Sequence, residues 1–337
     1  MVILESLQLV NHTWIVLSNI IIENSDWRLG TCCQFIENKN RKLNFIASTK
    51  SQAINNPERC IEKAFINTTK LIDIMNFLSK EPKNLRLFRI RSDIWPCYSV
   101  PEIRPYYRDV EKELIYLLRK SKAIANKNEI RLSMHPDQFC VLGSKNIKVV
   151  KNSITELEYH AKIGASLVDN PRDFVINIHL QGIYGGSHLD GIKRFATNFS
   201  HLSPFCKKAL TVENEDYSSG YDINHILELS EKIPIRACID MHHYEAYHQG
   251  QQVLSYKDSL VKKSIQTWEG VRPLFHASQP IKGSHKLAPH SDQFWDTIRN
   301  ERYAMFLNCV DLDIEAKEKE RAVKTFYNWI KKSKKLL

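Results

Sequence analysis

Three histidines and three carboxylates stand where short apolar runs end. His135 follows Leu132-Ser133-Met134, His179 follows Val175-Ile176-Asn177-Ile178, and Glu213 follows Leu210-Thr211-Val212. Asp240 follows Ile239, with His243 just beyond it; His276 follows Leu274-Phe275, and Glu315 follows Leu312-Asp313-Ile314. Imidazole and carboxylate donors without thiolates suit zinc or manganese, and carboxylates shared between ions typify sites holding two metals about 3.5–4 Å apart. Such a pair clamps a phosphodiester, acidifies a bound water and stabilises the leaving oxygen, so the reaction class is metal-assisted phosphodiester hydrolysis. Each residue alone has a plainer reading. A histidine at a strand end is often a hydrogen-bonded structural residue, Glu213 heads an acidic loop (Glu213-Asn214-Glu215-Asp216), and Asp240 could cap a helix whose histidines face water. Together they favour a polynuclear site, because buried carboxylates need positive partners.

One stretch joins this chemistry to a second task. After His135 the chain turns at Pro136 and presents a long amide and a large aromatic, Gln138 and Phe139, a pair suited to wedging into something stacked. The competing reading is a capped turn with Phe139 packed inward. Arg89, near the end of another apolar run, is an anion-binding candidate.

The elements that position these residues alternate. Strand candidates cover 29–36, 85–90, 130–135, 173–179, 209–213, 235–240, 271–276 and 307–314, each apolar over most of its length, as expected of strands covered on both faces. Between them run helical patterns; in the first, Ile61, Ala64, Phe65, Thr68, Leu71, Ile72, Met75 and Leu78 make one stripe. The others fall near 107–124, 146–168, 189–202, 222–232, 252–264, 291–302 and 316–332. Eight such pairs predict an α/β protein, a (β/α)8 TIM barrel spanning residues 28–337, with a metal site at its C-terminal mouth. No dinucleotide or phosphate-loop motif competes. Residues 1–27 show no clear pairing pattern and read as an N-terminal extension. The polar, basic segment 37–55 reads as a long loop on the same rim, and the Lys331–Lys335 tail as a solvated helix end.

The chain has 337 residues and a formal charge of +10, which favours a polyanionic partner. The longest apolar stretch, Ile15 to Ile22, is broken by Ser18 and Asn19, short of a bilayer span and unlike a secretory signal. An intracellular protein, in cytoplasm or nucleus, is expected, with no membrane association and no obligate protein partner. Eight scattered cysteines without a C-x-x-C pair read as reduced, mostly buried thiols and not as ligands.

The motifs resemble those of the UV-damage endonucleases, a family similar in fold to endonuclease IV and the sugar isomerases. The resemblance rests on Phe88-Arg89-Ile90-Arg91-Ser92-Asp93-Ile94-Trp95-Pro96, on His135-Pro136-Asp137-Gln138-Phe139 and on Asn177-Ile178-His179-Leu180-Gln181-Gly182-Ile183-Tyr184-Gly185-Gly186. It continues through Val212-Glu213-Asn214-Glu215-Asp216, Ile239-Asp240-Met241-His242-His243, Phe275-His276-Ala277-Ser278-Gln279, His290-Ser291-Asp292 and Asp311-Leu312-Asp313-Ile314-Glu315-Ala316-Lys317. It implies two or three divalent ions, usually manganese. Glu213, Asp240, His276 and Glu315 would hold one; His135 and His179, sharing Glu213, a second; His243 and His290 a third, with Asp292 a further candidate. It implies a DNA-repair nuclease that nicks damaged double-stranded DNA immediately 5′ of a UV photoproduct, leaving a 3′-hydroxyl and a 5′-phosphate. Glu213, Asp240 and Glu315 would be catalytic, and Gln138 and Phe139 would fill the gap left by flipped nucleotides, with Arg89 and Tyr184 also on the DNA. The alternatives are an abasic-site endonuclease and a damage-binding protein with an impaired centre. A sugar isomerase or epimerase on the same barrel is a third. Three places depart from the family pattern: Leu274 stands where a carboxylatable lysine is usual, Gly30-Thr31-Cys32-Cys33-Gln34-Phe35 stands where Gly-Tyr followed by a polar Asn is usual, and no histidine follows Pro96 in Pro96-Cys97-Tyr98-Ser99-Val100.

Overall fold

Eight short, almost wholly buried strands form one parallel sheet: Leu29–Cys32 (β3), Leu87–Ile90 (β4), Arg131–Met134 (β5), Phe174–His179 (β6), Leu210–Glu213 (β7), Arg236–Cys238 (β8), Leu274–Ala277 (β9) and Asp311–Ile314 (β10). Leu7–Val10 (β1) and Thr13–Val16 (β2), within the stretch read as an extension, pair antiparallel as a separate sheet. The computed structural model describes residues 7–10, 13–16, 22 and 25–334. The order β8-β7-β6-β5-β4-β3-β10-β9 runs round the barrel, and its two edges meet in a parallel bridge between Asp240 and His276, where His276 N–H donates to the Ile239 carbonyl at 2.9 Å.

The helices are Lys50–Asn55 (α1), Pro57–Leu78 (α2), Arg104–Lys127 (α3), Ile147–Leu167 (α4), His188–Phe199 (α5), Pro204–Ala209 (α6), Ile223–Lys232 (α7), Met241–Tyr247 (α8), Ser259–Gln266 (α9), Thr297–Phe306 (α10) and Lys319–Lys334 (α11). Local chemistry sets their starts. Asn56 caps α2 with Pro57 in its first turn, and Ser187 with Asp190 closes a capping box on α5. Of the expected α2 stripe, Ala64, Thr68, Leu71, Met75 and Leu78 are buried, joined by Cys60, Asn67 and Ile74, while Ile61, Phe65 and Ile72 are half-buried. No described helix is long and apolar enough to cross a membrane.

The floor of the barrel combines charge and hydrophobe. Asp311 sits among Arg131 at 2.7 Å, Arg272 at 2.8 Å and Arg28 at 3.8 Å, while Leu87, Val175 and Leu274 pack on Trp268. Leu274 is therefore an apolar floor residue.

Several boundaries differ from the sequence reading. The first strand stops at Cys32 because Cys33 takes a left-handed φ of 67°. The last begins at Asp311, since α10 extends to Phe306 and a turn follows. Segment 291–296 is not helical, Asp296 capping α10, and the helix expected from 252 begins only at Ser259. The segment 37–55 is not a bare loop. Leu43 and Phe45 are buried, and Thr49 and Gln52 form a capping box that starts α1. At the tail, Lys331 and Lys332 are exposed on α11, and Lys335 lies outside the described residues.

Candidate metal centre

Parallel register and the two-residue period of a strand bring the predicted residues to one end. His179 on β6 pairs with Glu213 on β7, His276 on β9 with Asp313 on β10, and Asp240 with His276. Asp240 does what the plainer reading predicted and more: its Oδ1 accepts from the His243 N–H at 2.8 Å, capping α8, while Oδ2 is buried with no hydrogen-bond partner. The histidines behind that cap do not face water; His242 and His243 are both buried.

Glu213 is the hub. Its carboxylate lies 3.1 Å from His243 Nδ1, 3.1 Å from His276 Nδ1 and 3.4 Å from His135 Nε2, and it accepts a hydrogen bond from Asn177. Glu315 lies 3.2 Å from His276 Nδ1 and 3.7 Å from His290 Nδ1. Three trios drawn from the expected residues, His135–His179–Glu213, Glu213–Asp240–His243 and Asp240–His276–Glu315, each bring ligand-type atoms within 4.8 Å of one another. A fourth adds Cys238 to Glu213 and His276.

Burial opposes ionisation of these groups, and mutual attraction reverses it for most. Burial works against the Glu213 carboxylate, but His276, His179, His135 and His243 hold its pKa well below the usual range. Glu315 is likewise held low against burial, by Arg89 and His276. Burial disfavours a charged His243, yet Asp240 and Glu213 outweigh it and lift its pKa to about 10. His179 goes the other way, lowered to about 4 chiefly by burial, so it is neutral near pH 7. Its Nδ1 is buried with no hydrogen-bond partner. A neutral imidazole, an orphaned carboxylate oxygen on Asp240 and a hard donor set are what a divalent cation requires, so these residues fit such an ion.

Arg89 is buried. Its guanidinium donates to Asp313 at 3.1 Å and to Glu315, and lies 2.8 Å from His276 Nε2, placing a fixed cation beneath the cluster. Asp313 is accommodated because a Cβ at Gly30 would fall 1.9 Å from its Oδ1. Gln138 and Phe139 are exposed, and Phe139, at 78%, does not pack inward. Tyr184 is half-exposed on the neighbouring loop, which Lys145 ties back through the Tyr184 carbonyl at 3.1 Å. His290 borders the cluster through Glu315, whereas Asp292 stands apart, 3.6 Å from Lys317 in solvent. Reasoning from sequence missed Cys238, which ends β8 opposite Glu213 and joins it and His276, and the exposed rings of Tyr217 and Trp295.

A (β/α)8 barrel with histidines and carboxylates gathered at the C-terminal ends of its strands is the class these features define. The family model described as UV-endonuclease UvdE matches residues 27–335, and the chain belongs to that family. A UV-damage endonuclease of Neurospora crassa is 31% identical over 74% of this chain and 39% of its own length. A UV DNA damage endonuclease of Clostridium perfringens is 31% identical over 75% of this chain and 62% of its own. The chain thus spans less than two thirds of these two relatives. The crystal structure of SacUVDE superposes with a TM-score of 0.77 at 25% identity, covering 91% of this chain and 98% of that one. Endonuclease IV from Thermus thermophilus shares the fold, with a TM-score of 0.56 at 13% identity over 90% of this chain and 99% of that one.

Proposed function

We propose that the chain is a metal-dependent endonuclease that nicks duplex DNA immediately 5′ of UV photoproducts, leaving a 3′-hydroxyl and a 5′-phosphate, inside the cell. The observation that carries this reading is one loop: it leaves the buried histidine–carboxylate cluster at His135 and, three and four residues on, exposes Gln138 and Phe139. Glu213, Asp240, His276 and Glu315 would hold one divalent ion, His135 and His179 with shared Glu213 a second, and His243 with His290 a third; manganese or zinc suits the donors. Such ions, when bound, supply positive charge to the scissile phosphate and lower the pKa of a water.

The chain's own residues set the geometry for this. Arg89 fixes the Glu315 carboxylate, and Glu213 links His135 after β5, His276 on β9 and His243 on α8. Phe139 offers a flat face and Gln138 an amide to fill the space of nucleotides drawn out of the stack, at a site where a photoproduct already weakens stacking. Tyr184 extends the aromatic surface on the next loop.

The test is a duplex carrying one cyclobutane dimer, incubated with the manganese-loaded protein and mapped for its cleavage position and end groups. A single nick 5′ of the dimer is expected. Preferential cleavage of an abasic duplex would move the assignment to that lesion. Tight dimer binding without nicking by folded, metal-loaded protein would make it a damage-binding protein.

A further inference from the structure

A second reactive cluster lies between the first turn of α2 and the loop that follows β4. Cys60 Sγ donates to the carbonyl of Pro96, the residue immediately before Cys97, at 3.0 Å. Cys97 Sγ lies 3.7 Å from the Ser48 carbonyl. Lys63, one turn along α2 from Cys60, donates to Ser48 Oγ at 2.8 Å and to the Ala47 carbonyl at 2.9 Å. Tyr107 closes the group through the Pro96 carbonyl at 2.7 Å. A cleft of about 340 Å³ lined by Ser48, Arg59, Cys60 and Lys63 lies here; Cys60 itself is buried and Cys97 is partly exposed. None of these residues belongs to the histidine–carboxylate cluster.

The two thiols are unlike. Hydrogen bonding from Cys97 outweighs burial and, with Tyr107, Lys63 and Ser48, brings the Cys60 thiol down to about 7, while the same contact pushes Cys97 up. Cys60 is thus the more acidic of the two thiols and Cys97 the less acidic, which suits an attacking and a resolving thiol.

We propose that Cys60 and Cys97 form a redox-modification site in which hydrogen peroxide oxidises Cys60 and Cys97 resolves it as a disulfide. The Cys60 thiolate attacks one peroxide oxygen, the O–O bond breaks, and the departing hydroxide takes up a proton as water, leaving Cys60 as the sulfenic acid. Cys97 sulfur then attacks Cys60 sulfur, the S–O bond breaks, and the Cys97 proton leaves with the hydroxide as a second water. Two thiols and one peroxide thus give one disulfide and two waters, the peroxide accepting both electrons. The loop that carries Cys97 is docked on α2: Asn67 donates to the Ile94 carbonyl at 3.2 Å and Trp95 Nε1 to Thr68 Oγ1 at 2.9 Å. The same loop carries Ser92, whose hydroxyl donates to the His135 carbonyl at 2.5 Å, so the disulfide would tie α2 to the strand tip that bears His135.

The experiment treats reduced full chain with stoichiometric hydrogen peroxide, counts thiols after denaturation, and maps cross-linked peptides by mass spectrometry. Free thiols should fall from eight to six, with a Cys60–Cys97 peptide that dithiothreitol dissolves, and the melting temperature should rise by roughly 2–6 °C. Cys97→Ser should stop the reaction at a Cys60 sulfenic acid that dimedone labels, whereas Cys309→Ser should keep the two-thiol loss. Absence of the Cys60–Cys97 peptide, or an unchanged two-thiol loss in Cys97→Ser, would overturn the proposal. The readout is independent of DNA cleavage.

Discussion

Asp240 and His276 are joined twice: their backbones make the bridge between the two edges of the barrel, and their side chains, with Glu315, bring ligand-type atoms within 4.8 Å of one another. Barrel closure and the candidate centre are thus one contact. An ion bound there should stabilise the folded chain, by about 2.7 kcal/mol at a hundredfold excess over its Kd. Chelator-treated protein should melt lower than protein with added manganese, and His276→Ala should abolish most of that difference. Equal melting temperatures at saturating manganese, with metal uptake confirmed by elemental analysis, would contradict an ion at this position.

Glu213→Gln tests the hub. The amide keeps the shape but removes the charge that three histidines face. Nicking of the dimer duplex should fall on the order of a hundredfold to a thousandfold, with bound metal reduced and the circular dichroism spectrum retained. Unchanged nicking would remove Glu213 from the catalytic assignment.

The pH dependence of the metal-free protein follows from His243. Its pKa, against the cost of burial, is raised by Asp240 and Glu213 from 6.5 to about 10. A raised value means that the stability it contributes is complete below about pH 6.5 and is lost as pH climbs through 10. Metal-free protein should weaken over that window by an amount on the order of a few kcal/mol, and His243→Gln should flatten the decline. Manganese displaces the proton, so loaded protein should lose less. Denaturant midpoints at several pH values decide it; a metal-free wild type no more pH-sensitive than the variant would sink the argument.

How much was legible in the sequence depends on range. Strands such as Phe174–His179 and Leu210–Glu213 stood out because both faces are covered and the runs are apolar over most of their length, and their C-terminal polar residues then pointed to one rim. Segment 37–55 was opaque because Leu43 and Phe45 make no helical stripe, and the Thr49–Gln52 box that starts α1 emerged only in the structure. Cys238 was passed over because its approach to Glu213 and His276 comes from the neighbouring strands, not from a cysteine spacing. The internal role of Arg89 rests on Asp313 and Glu315, more than two hundred residues away (separations of 224 and 226), and no local pattern carries that.

Phe139 separates recognition from chemistry. At 78% exposure its ring has little packing to lose, so Phe139→Ala should change folding stability by only about 0.5 kcal/mol or less. If the ring fills the gap in an opened stack, the same substitution should cost roughly 1–3 kcal/mol in binding a dimer duplex, with little change on undamaged DNA. His135→Ala should do the reverse, lowering bound metal while leaving discrimination between the two duplexes. Parallel fluorescence titrations of damaged and undamaged duplex, with metal content measured on the same samples, give both numbers. A Phe139→Ala protein that loses affinity equally for both duplexes would assign the ring to general backbone contact, and one that merely melts lower would make it a packing residue.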